Sequence, residues 1–399
     1  MIPGLPFATF RWTILTLAVL AQLYLFFRAR NAIRSSRRSA RFKTIAVAAV
    51  GALLVLLFVL NMALLYRPIP WVYPPAAAQV GLFYPVAVWG LGSIFSALLL
   101  LAGQIAGRIA RTFVRLGRGL AGRPAPPSFD GSRRLFLQAG TGGLFAVPLL
   151  LCGYGAAYAG RNGVVREIGL PFGCPLRVVQ LTDIHAGIYM NREQMRHYID
   201  KVNALQPDLF VLTGDYIANS LSFLPGCLEE MARVRARFGT LAILGNHEHW
   251  YAGLGELQAI FLRFGVPLLQ NAHRLIRTDH GVFAVAGIDD LRNGTPDLDA
   301  ALQGLNRNIP TILLSHRPEI FPEAALRRVS LTLSGHYHGG QIKLGRPGAG
   351  LSLAHLRTPY PEGLFRSGAS RLYVSRGIGT TFTPVRLNAP PEVTLLHLT

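Results

Sequence analysis

A chain of 399 residues has room for two or three ordinary domains. Only 15% of its residues are charged against 51% apolar, where soluble domains carry about 25% charged residues, so part of the chain does not face water. The net charge of +20 divides into +15 over residues 1–160, with 16 Lys and Arg against the single acid Asp130, and +5 over the rest; the excess lies between apolar runs rather than along a water-facing surface, which argues against a nucleic-acid partner.

Four runs approach the roughly 20 apolar residues that a bilayer-crossing helix needs. They are Trp12–Phe27, slightly short, then Thr44–Tyr66, Val80–Ala106 and Leu135–Ala159. Water-soluble helices of such length would show a charged face. Gln22, Asn61 and Gln104 are the polar residues near the spans. The loops Arg28–Lys43 and Arg108–Arg134 hold seven Lys and Arg each, and Arg67–Gln79 holds one. Basic loops stay in the cytoplasm, so four alternating crossings place everything after Ala159 on the outer face. Pro68–Pro75, with Trp71 and Tyr73, becomes a short outer loop. Ser132-Arg133-Arg134-Leu135-Phe136-Leu137 has the form of a twin-arginine export signal, and Ala157-Tyr158-Ala159 that of a peptidase site. Two readings stand: an export signal with release after Ala159, or two more arginines obeying the charge rule. Cys152, Cys174 and Cys227 form no CxxC pair and no disulfide framework; Cys152 is expected to be buried.

From Leu176 the texture changes to short apolar runs that end in polar clusters, as strands feeding loops do. Leu176–Leu181 precedes Thr182-Asp183-Ile184-His185. A helix is expected over 193–205. Leu209–Thr213 precedes Gly214-Asp215-Tyr216, and a helix over Leu228–Arg237 leads to the strand Leu241–Leu244 and Gly245-Asn246-His247-Glu248. Thr311–Leu314 ends in Ser315-His316, and Leu331–Leu333 in Ser334-Gly335-His336-Tyr337-His338. Ligands gather beyond the C-terminal strand ends of open α/β sheets, so five loops are expected to converge. Their mixed oxygen and imidazole donors suit Mn, Fe or Zn, and their number suits two ions sharing a carboxylate. Gly214, Gly245 and Gly335 allow sharp turns or close backbone approach.

These five blocks in this order resemble the calcineurin-like metallophosphoesterase superfamily. Gly287-Ile288-Asp289-Asp290, Gly339-Gly340-Gln341-Ile342, the run Leu372–Gly379 and Pro384-Val385-Arg386-Leu387 resemble its membrane-associated YkuE/YaeI-like bacterial branch. The resemblance covers about Pro175–Thr399. It implies an α/β fold, a four-layer α/β/β/α sandwich, after an all-α transmembrane region of about four helices; residues 1–160 would be the membrane region and 161–399 the catalytic domain. By matched position it implies two divalent metal ions. Asp183, His185 and His338 would hold one, Asn246, His316 and His336 the other, and Asp215 would bridge them. His247 would donate a proton to the leaving oxygen or bind phosphate, with Glu248 orienting it. The implied reaction is hydrolysis of a phosphate mono- or diester by a metal-bridging hydroxide.

Departures narrow the substrate. Ile217-Ala218-Asn219 stands where protein phosphatases carry Asp-Arg-Gly, which counts against a phosphoprotein. Tyr337 replaces the commoner Thr and either lines the site or packs. His249, His273, His280 and His355 fall outside the blocks and are left out of the site, and His197 is expected on an exposed helix face. Asp289 and Asp290 are expected to cap a turn, and Arg317 and Arg376 to be surface charges. Anchoring suggests a lipid-linked phosphate ester as substrate and membrane lipids as partners. The rival reading is a membrane sensor or transport-like protein whose metal-binding head is regulatory.

Overall fold

The computed structural model describes residues 7–66, 74–120, 131–159, 162–345 and 350–399. Backbone contacts divide the chain into two compact units, Met1–Arg67 with Leu82–Tyr154, and Pro68–Gly81 with Gly155–Thr399.

The four expected apolar runs all fold as long helices. They are α1 (Phe7–Arg34), α2 (Ala40–Tyr66), α4 (Tyr84–Leu120), entered through the short α3 (Ala76–Ala78) and a π turn, and α5 (Gly131–Ala159). Each contains a stretch long and apolar enough to cross a membrane. The polar residues among them have partners: Gln22 Nε2 donates to Ser93 Oγ at 2.9 Å, Tyr24 OH to Gln104 Oε1 at 3.2 Å, and Asn61 Nδ2 to Val86 O at 3.0 Å. Gly90 makes the α2–α4 contact possible, because a Cβ there would stand 2.0 Å from Asn61 Nδ2. Cys152 is buried, as expected.

The expected basic loops are largely helical instead. Arg28, Arg30 and Arg34 lie in α1, Arg41 and Lys43 in α2, and Arg108, Arg111, Arg115 and Arg118 in α4. Arg, Ala and Leu are good helix formers, and the first arginine run meets no helix breaker before Ser35. The Pro68–Pro75 loop, with Trp71 and Tyr73, falls up to residue 73 outside the described residues. So do Arg123, Arg161 and the side chains of Arg133 and Arg134.

The second unit carries two mixed sheets with helices around them. In chain order its elements are β1 (Val164–Leu170), β2 (Leu176–Leu181), α6 (Arg192–Ala204), β3 (Leu209–Thr213), α7 (Leu224–Met231), β4 (Thr240–Ile243), α8 (Asn246–His249) and α9 (Leu254–Arg263). There follow β5 (Ala272–Thr278), β6 (Gly281–Gly287), α10 (Leu298–Leu302), β7 (Thr311–Leu314), α11 (Phe321–Leu326), β8 (Leu331–Ser334), β9 (Gly363–Ser367), β10 (Ser370–Val374) and β11 (Glu392–Leu398). One sheet runs β1-β11-β2-β3-β4 and the other β5-β6-β7-β8-β10-β9. In the first, β2, β3 and β4 are parallel; in the second, β6, β7, β8 and β10 are.

Strand periodicity builds the core between the sheets. Val178, Val211 and Ile243 from the first sheet cluster with Val285, Leu314, Leu333 and Tyr373 from the second. The alternate residues Ala286 and Leu313 pack with Leu298 and Ala301 of α10 and Ala324 of α11. Both faces of these strands are therefore covered, as parallel strands require. Five of them, β2, β3, β4, β7 and β8, end at the five metal-capable blocks.

The helix expected over Leu228–Arg237 lies earlier, at Leu224–Met231. Pro225 starts it, since a proline in the first turn sacrifices no helical hydrogen bond. It closes in the turns Arg233 N→Glu230 O and Val234 N→Met231 O. Its buried Glu230 accepts from Arg196 Nη2 at 2.9 Å, Arg233 Nη1 at 3.1 Å and Arg192 Nη2 at 3.3 Å. Burial alone would raise the Glu230 pKa, but Arg196 first, then Arg233 and Arg192, hold it below the ordinary value. A depressed carboxylate contributes stability above its unfolded pKa and loses it as pH falls through the folded one. Glu230→Gln should therefore cost about 1–2 kcal/mol at pH 7. The deficit should close below the ordinary carboxylate value of 4.5, as read by denaturation of both proteins in detergent across pH 3–7.

Candidate metal centre

The loops after β2, β3, β4, β7 and β8 bring all nine singled-out residues close together, through backbone that ordinary residues avoid. Of the eleven described non-glycine residues with positive φ, five are Asp183, His185, Asp215, His336 and His338, at φ between 49° and 73°. Such conformations cost energy and persist where surrounding contacts over-determine them. Two glycines permit the closure. A Cβ on Gly245 would stand 2.3 Å from Asp215 Oδ1, and one on Gly335 2.1 Å from Asp183 Oδ2.

Asp183, His185 and His338 present ligand atoms that all lie within 4.8 Å of one another, and so do Asp215, His316 and His336. Asp215 stands between the groups, with Oδ2 3.2 Å from His316 Nε2 and 3.7 Å from His185 Nε2. His185 Nε2 is 3.0 Å from His338 Nε2, and His316 Nε2 is 3.2 Å from His336 Nδ1. Asn246 joins the second group through Arg317, whose Nη2 donates to Asn246 Oδ1 at 3.1 Å while Nη1 meets His336. His247 is aligned beside both, its Nε2 3.9 Å from Asp215 Oδ2.

Backbone groups aim these side chains. Carbonyls of Ile217, Thr213 and Ala218 accept from Nδ1 of His185, His316 and His247 at 3.3, 2.8 and 2.7 Å. A carbonyl on one ring nitrogen turns the other, Nε2, toward the centre. Asp183 accepts from Thr182 Oγ1 at 2.8 Å and His336 N at 2.9 Å, and Asp215 from His247 N at 2.9 Å.

Burial governs the charges. It lowers His185 to about 3, with His247 adding to the effect, and pushes His336 and His338 well down, helped by Arg317 and His185 respectively. It raises Asp183 to about 6. It also opposes ionisation of Asp215, but His316, His247 and His185 outweigh it and keep that carboxyl well below its ordinary value. His316 is the counterpart: despite burial, Asp215 raises it to about 10. His185, His336 and His338, imidazoles held neutral beside buried carboxylates, offer the donor chemistry of divalent transition metals, and the proton on His316 is one that an ion would displace. The residues present fit such ions.

The expected contact of Glu248 with His247 is replaced by another. Glu248 is the fourth residue from Gly245, so its fully buried carboxylate turns back on the loop backbones. It accepts from Gly245 N at 2.9 Å, Asp215 N at 3.1 Å, Tyr216 N at 2.8 Å and Ile217 N at 3.3 Å. Arg317 and Arg376 are buried rather than surface charges, because each meets an acid inside. Arg317 Nε donates to Asp290 Oδ2 at 2.8 Å, and Arg376 Nε to Glu392 Oε2 at 2.7 Å. Asp289 and Asp290 do cap a turn, accepting from Thr295 N and Asn293 N. Asp289 also takes His249 Nε2 at 2.6 Å. Tyr337 packs, its ring 4.7 Å from that of His336 and its hydroxyl on Glu319. Sequence reasoning assigned Arg386 no role. It is buried, donates to the carbonyls of Gly379, Ala389 and Arg376, and lies 3.1 Å from His338 Nδ1. Its signal was the Pro384-Val385-Arg386-Leu387 motif.

The calcineurin-like phosphoesterase family matches residues 176–340. The chain is 32% identical over 280 residues to the uncharacterized metallophosphoesterase YkuE of Bacillus subtilis, covering 67% of this chain and 97% of YkuE. It is 30% identical over 305 residues to the uncharacterized metallophosphoesterase Cj0846 of Campylobacter jejuni, covering 73% and 76%. A transmembrane protein with metallophosphoesterase domain from Bos taurus is 32% identical over 240 residues; the match covers 56% of this chain and 53% of the bovine protein.

Gly335→Ala sets a methyl group against Asp183 and should lower metal affinity about 10–100-fold. Metal retained after dialysis of the purified full chain, measured by elemental analysis, checks this; retention equal to that of the parent would contradict the close-approach account.

Proposed function

This chain belongs to the calcineurin-like metallophosphoesterases, and from that premise we propose that it hydrolyses a phosphate mono- or diester at a pair of divalent ions. The observation that carries the reading is the convergence of two ligand groups on Asp215. In this reading Asp183, His185 and His338 hold one ion, Asn246, His316 and His336 the other, and Asp215 both. Bound there, such ions would acidify a water at neutral pH and neutralise charge on the phosphoryl oxygens.

The chain's own groups supply the rest. His247, fixed through Nδ1 by Ala218 O and facing the centre with Nε2, donates a proton to the leaving oxygen. Glu248 acts at one remove, holding the Asp215 and Asn246 loops at their spacing. Arg317 orients Asn246 and His336.

We place the enzyme in a membrane through α1, α2, α4 and α5, with residues 161–399 as the catalytic domain on the outer face. The apolar lengths of the helices and the basic residues flanking them support this. A relative named as a transmembrane protein agrees with it. The twin-arginine pattern Ser132–Leu137, within the first turns of α5, would deliver the domain to the same face. An enzyme held at a bilayer meets lipid-linked phosphate esters at high local concentration, so we assign the substrate to that class.

Metal-stripped full chain in detergent should lose hydrolysis of p-nitrophenyl phosphate and bis-p-nitrophenyl phosphate and regain it with Mn or Zn. Asp215→Asn should lower kcat at least about 100-fold. A variant retaining full activity would remove Asp215 from the shared position. A parent chain that binds two equivalents of metal yet cleaves neither ester would leave the regulatory-head reading in its place.

A further inference from the structure

Leu262 and Leu326, at 81% and 80% exposure, stand apart in sequence, as single exposed apolar residues commonly do. Leu344, Leu351, Leu353 and Leu356 do not. They are 78%, 69%, 76% and 81% exposed within one short segment that directly follows the His338 loop.

The backbone gathers them. Leu344 and Leu351 exchange both N–H···O bonds at 2.8 Å as an antiparallel pair, which puts their side chains on one face. Leu353 and Leu356 lie three apart in a 3-10 turn, where such residues eclipse. Ala354 between them turns inward and is buried. The base of the segment is fixed. Gln341 donates to Thr383 O at 2.9 Å and Val385 O at 3.0 Å and accepts from Thr381 N at 2.8 Å. Gly340, two residues from His338, is packed so closely that a Cβ would stand 2.0 Å from Ser352 Oγ. The leucines are thus mounted on the same short stretch of chain that supplies a metal-ligand candidate.

Two observations say what meets them. Among the described residues four helices are long and apolar enough to cross a membrane, and only four residues separate the end of α5 at Ala159 from β1 at Val164. Between Lys343 and Pro361 the sequence has no acid but carries Arg346, His355 and Arg357, and Lys343 is already paired with Glu362. Exposed leucines in a sequence stretch that holds bases and no acid suit the boundary between anionic headgroups and acyl chains.

We propose that this leucine ridge inserts into the bilayer surface and sets the His338 side of the metal centre against it, so that the substrate is a lipid phosphate taken from that surface. The substrate half of this rests on the phosphoesterase reading above; the insertion half does not.

The test uses the full chain in nanodiscs of phosphatidylcholine and phosphatidylglycerol. Leu353→Cys and Leu356→Cys, with Leu262→Cys and Leu326→Cys as controls, carry an environment-sensitive fluorophore; the three native cysteines are buried. Nitroxide-labelled lipids should quench the first two several-fold more than the controls. Equal quenching at all four overturns the insertion. In a second measurement, Leu353→Gln with Leu356→Gln should lower the ratio of phosphatidic acid to p-nitrophenyl phosphate turnover about ten-fold. An unchanged ratio overturns the lipid substrate. If the parent chain cleaves neither ester, the phosphoesterase reading fails, while the quenching still decides the ridge.

Discussion

The Glu248 carboxylate is the constraint on which the metal centre depends. It is fully buried and accepts from backbone N–H groups of Gly245, Asp215, Tyr216 and Ile217, binding the loop after β4 to the loop after β3. Those loops carry Asp215, Asn246 and His247. An unpaired buried carboxylate is costly, but four converging donors satisfy most of its lone pairs. Burial nevertheless raises its pKa, with the nearby Asp215 charge adding to that effect. The clamp is therefore itself an electrostatically loaded element, and the left-handed backbone at Asp215 persists because this clamp and the Gly245 contact over-determine it.

The same economy extends outward. His185, His316 and His247 each use Nδ1 on a carbonyl of the β3 strand or its following loop, at Ile217, Thr213 and Ala218. One short stretch, Thr213–Ala218, thus supplies the Asp215 carboxylate and aims three imidazoles. Displacing it would disturb both ligand groups at once. The core beneath it holds the stretch in place: Leu212, Tyr216 and Ile243 are wholly buried and Tyr216 OH donates to Ile243 O at 2.9 Å.

The ligand blocks were legible in the sequence because each is a local event, an apolar strand ending in a polar residue of fixed type. β2, β3 and β7 fall where the apolar runs put them. What was not legible is what depends on distant partners. The sequence alone cannot show that Arg317 meets Asp290 and Asn246, or that Arg376 meets Glu392. Without those acids, exposure is the cheaper reading of an arginine. Glu248 was legible as a site residue but not in its role, since its partners lie 31–33 positions away in Asp215, Tyr216 and Ile217. The earlier start of α7 has a local cause: Pro225 occupies its first turn, where the missing N–H costs no helical hydrogen bond.

Arg386 shows how the buried charges around the site are balanced. Arg317 and Arg376 are each neutralised by a buried acid, whereas Arg386 donates to carbonyl oxygens and lies against His338 Nδ1. Burial lowers its pKa to about 10, so it remains cationic at neutral pH. A fixed cation 3.1 Å from a ring nitrogen opposes protonation of His338, adding to burial and to His185. Lysine would carry the charge but not the planar fork that reaches Gly379, Ala389 and Arg376 together. The arginine therefore does two things that are separable in principle. Its hydrogen bonds close the loop after β10, and its charge keeps an imidazole neutral on the side of the centre next to the leucine segment. Both favour a site assembled before any ion or substrate arrives, with the ordering cost met during folding rather than at binding.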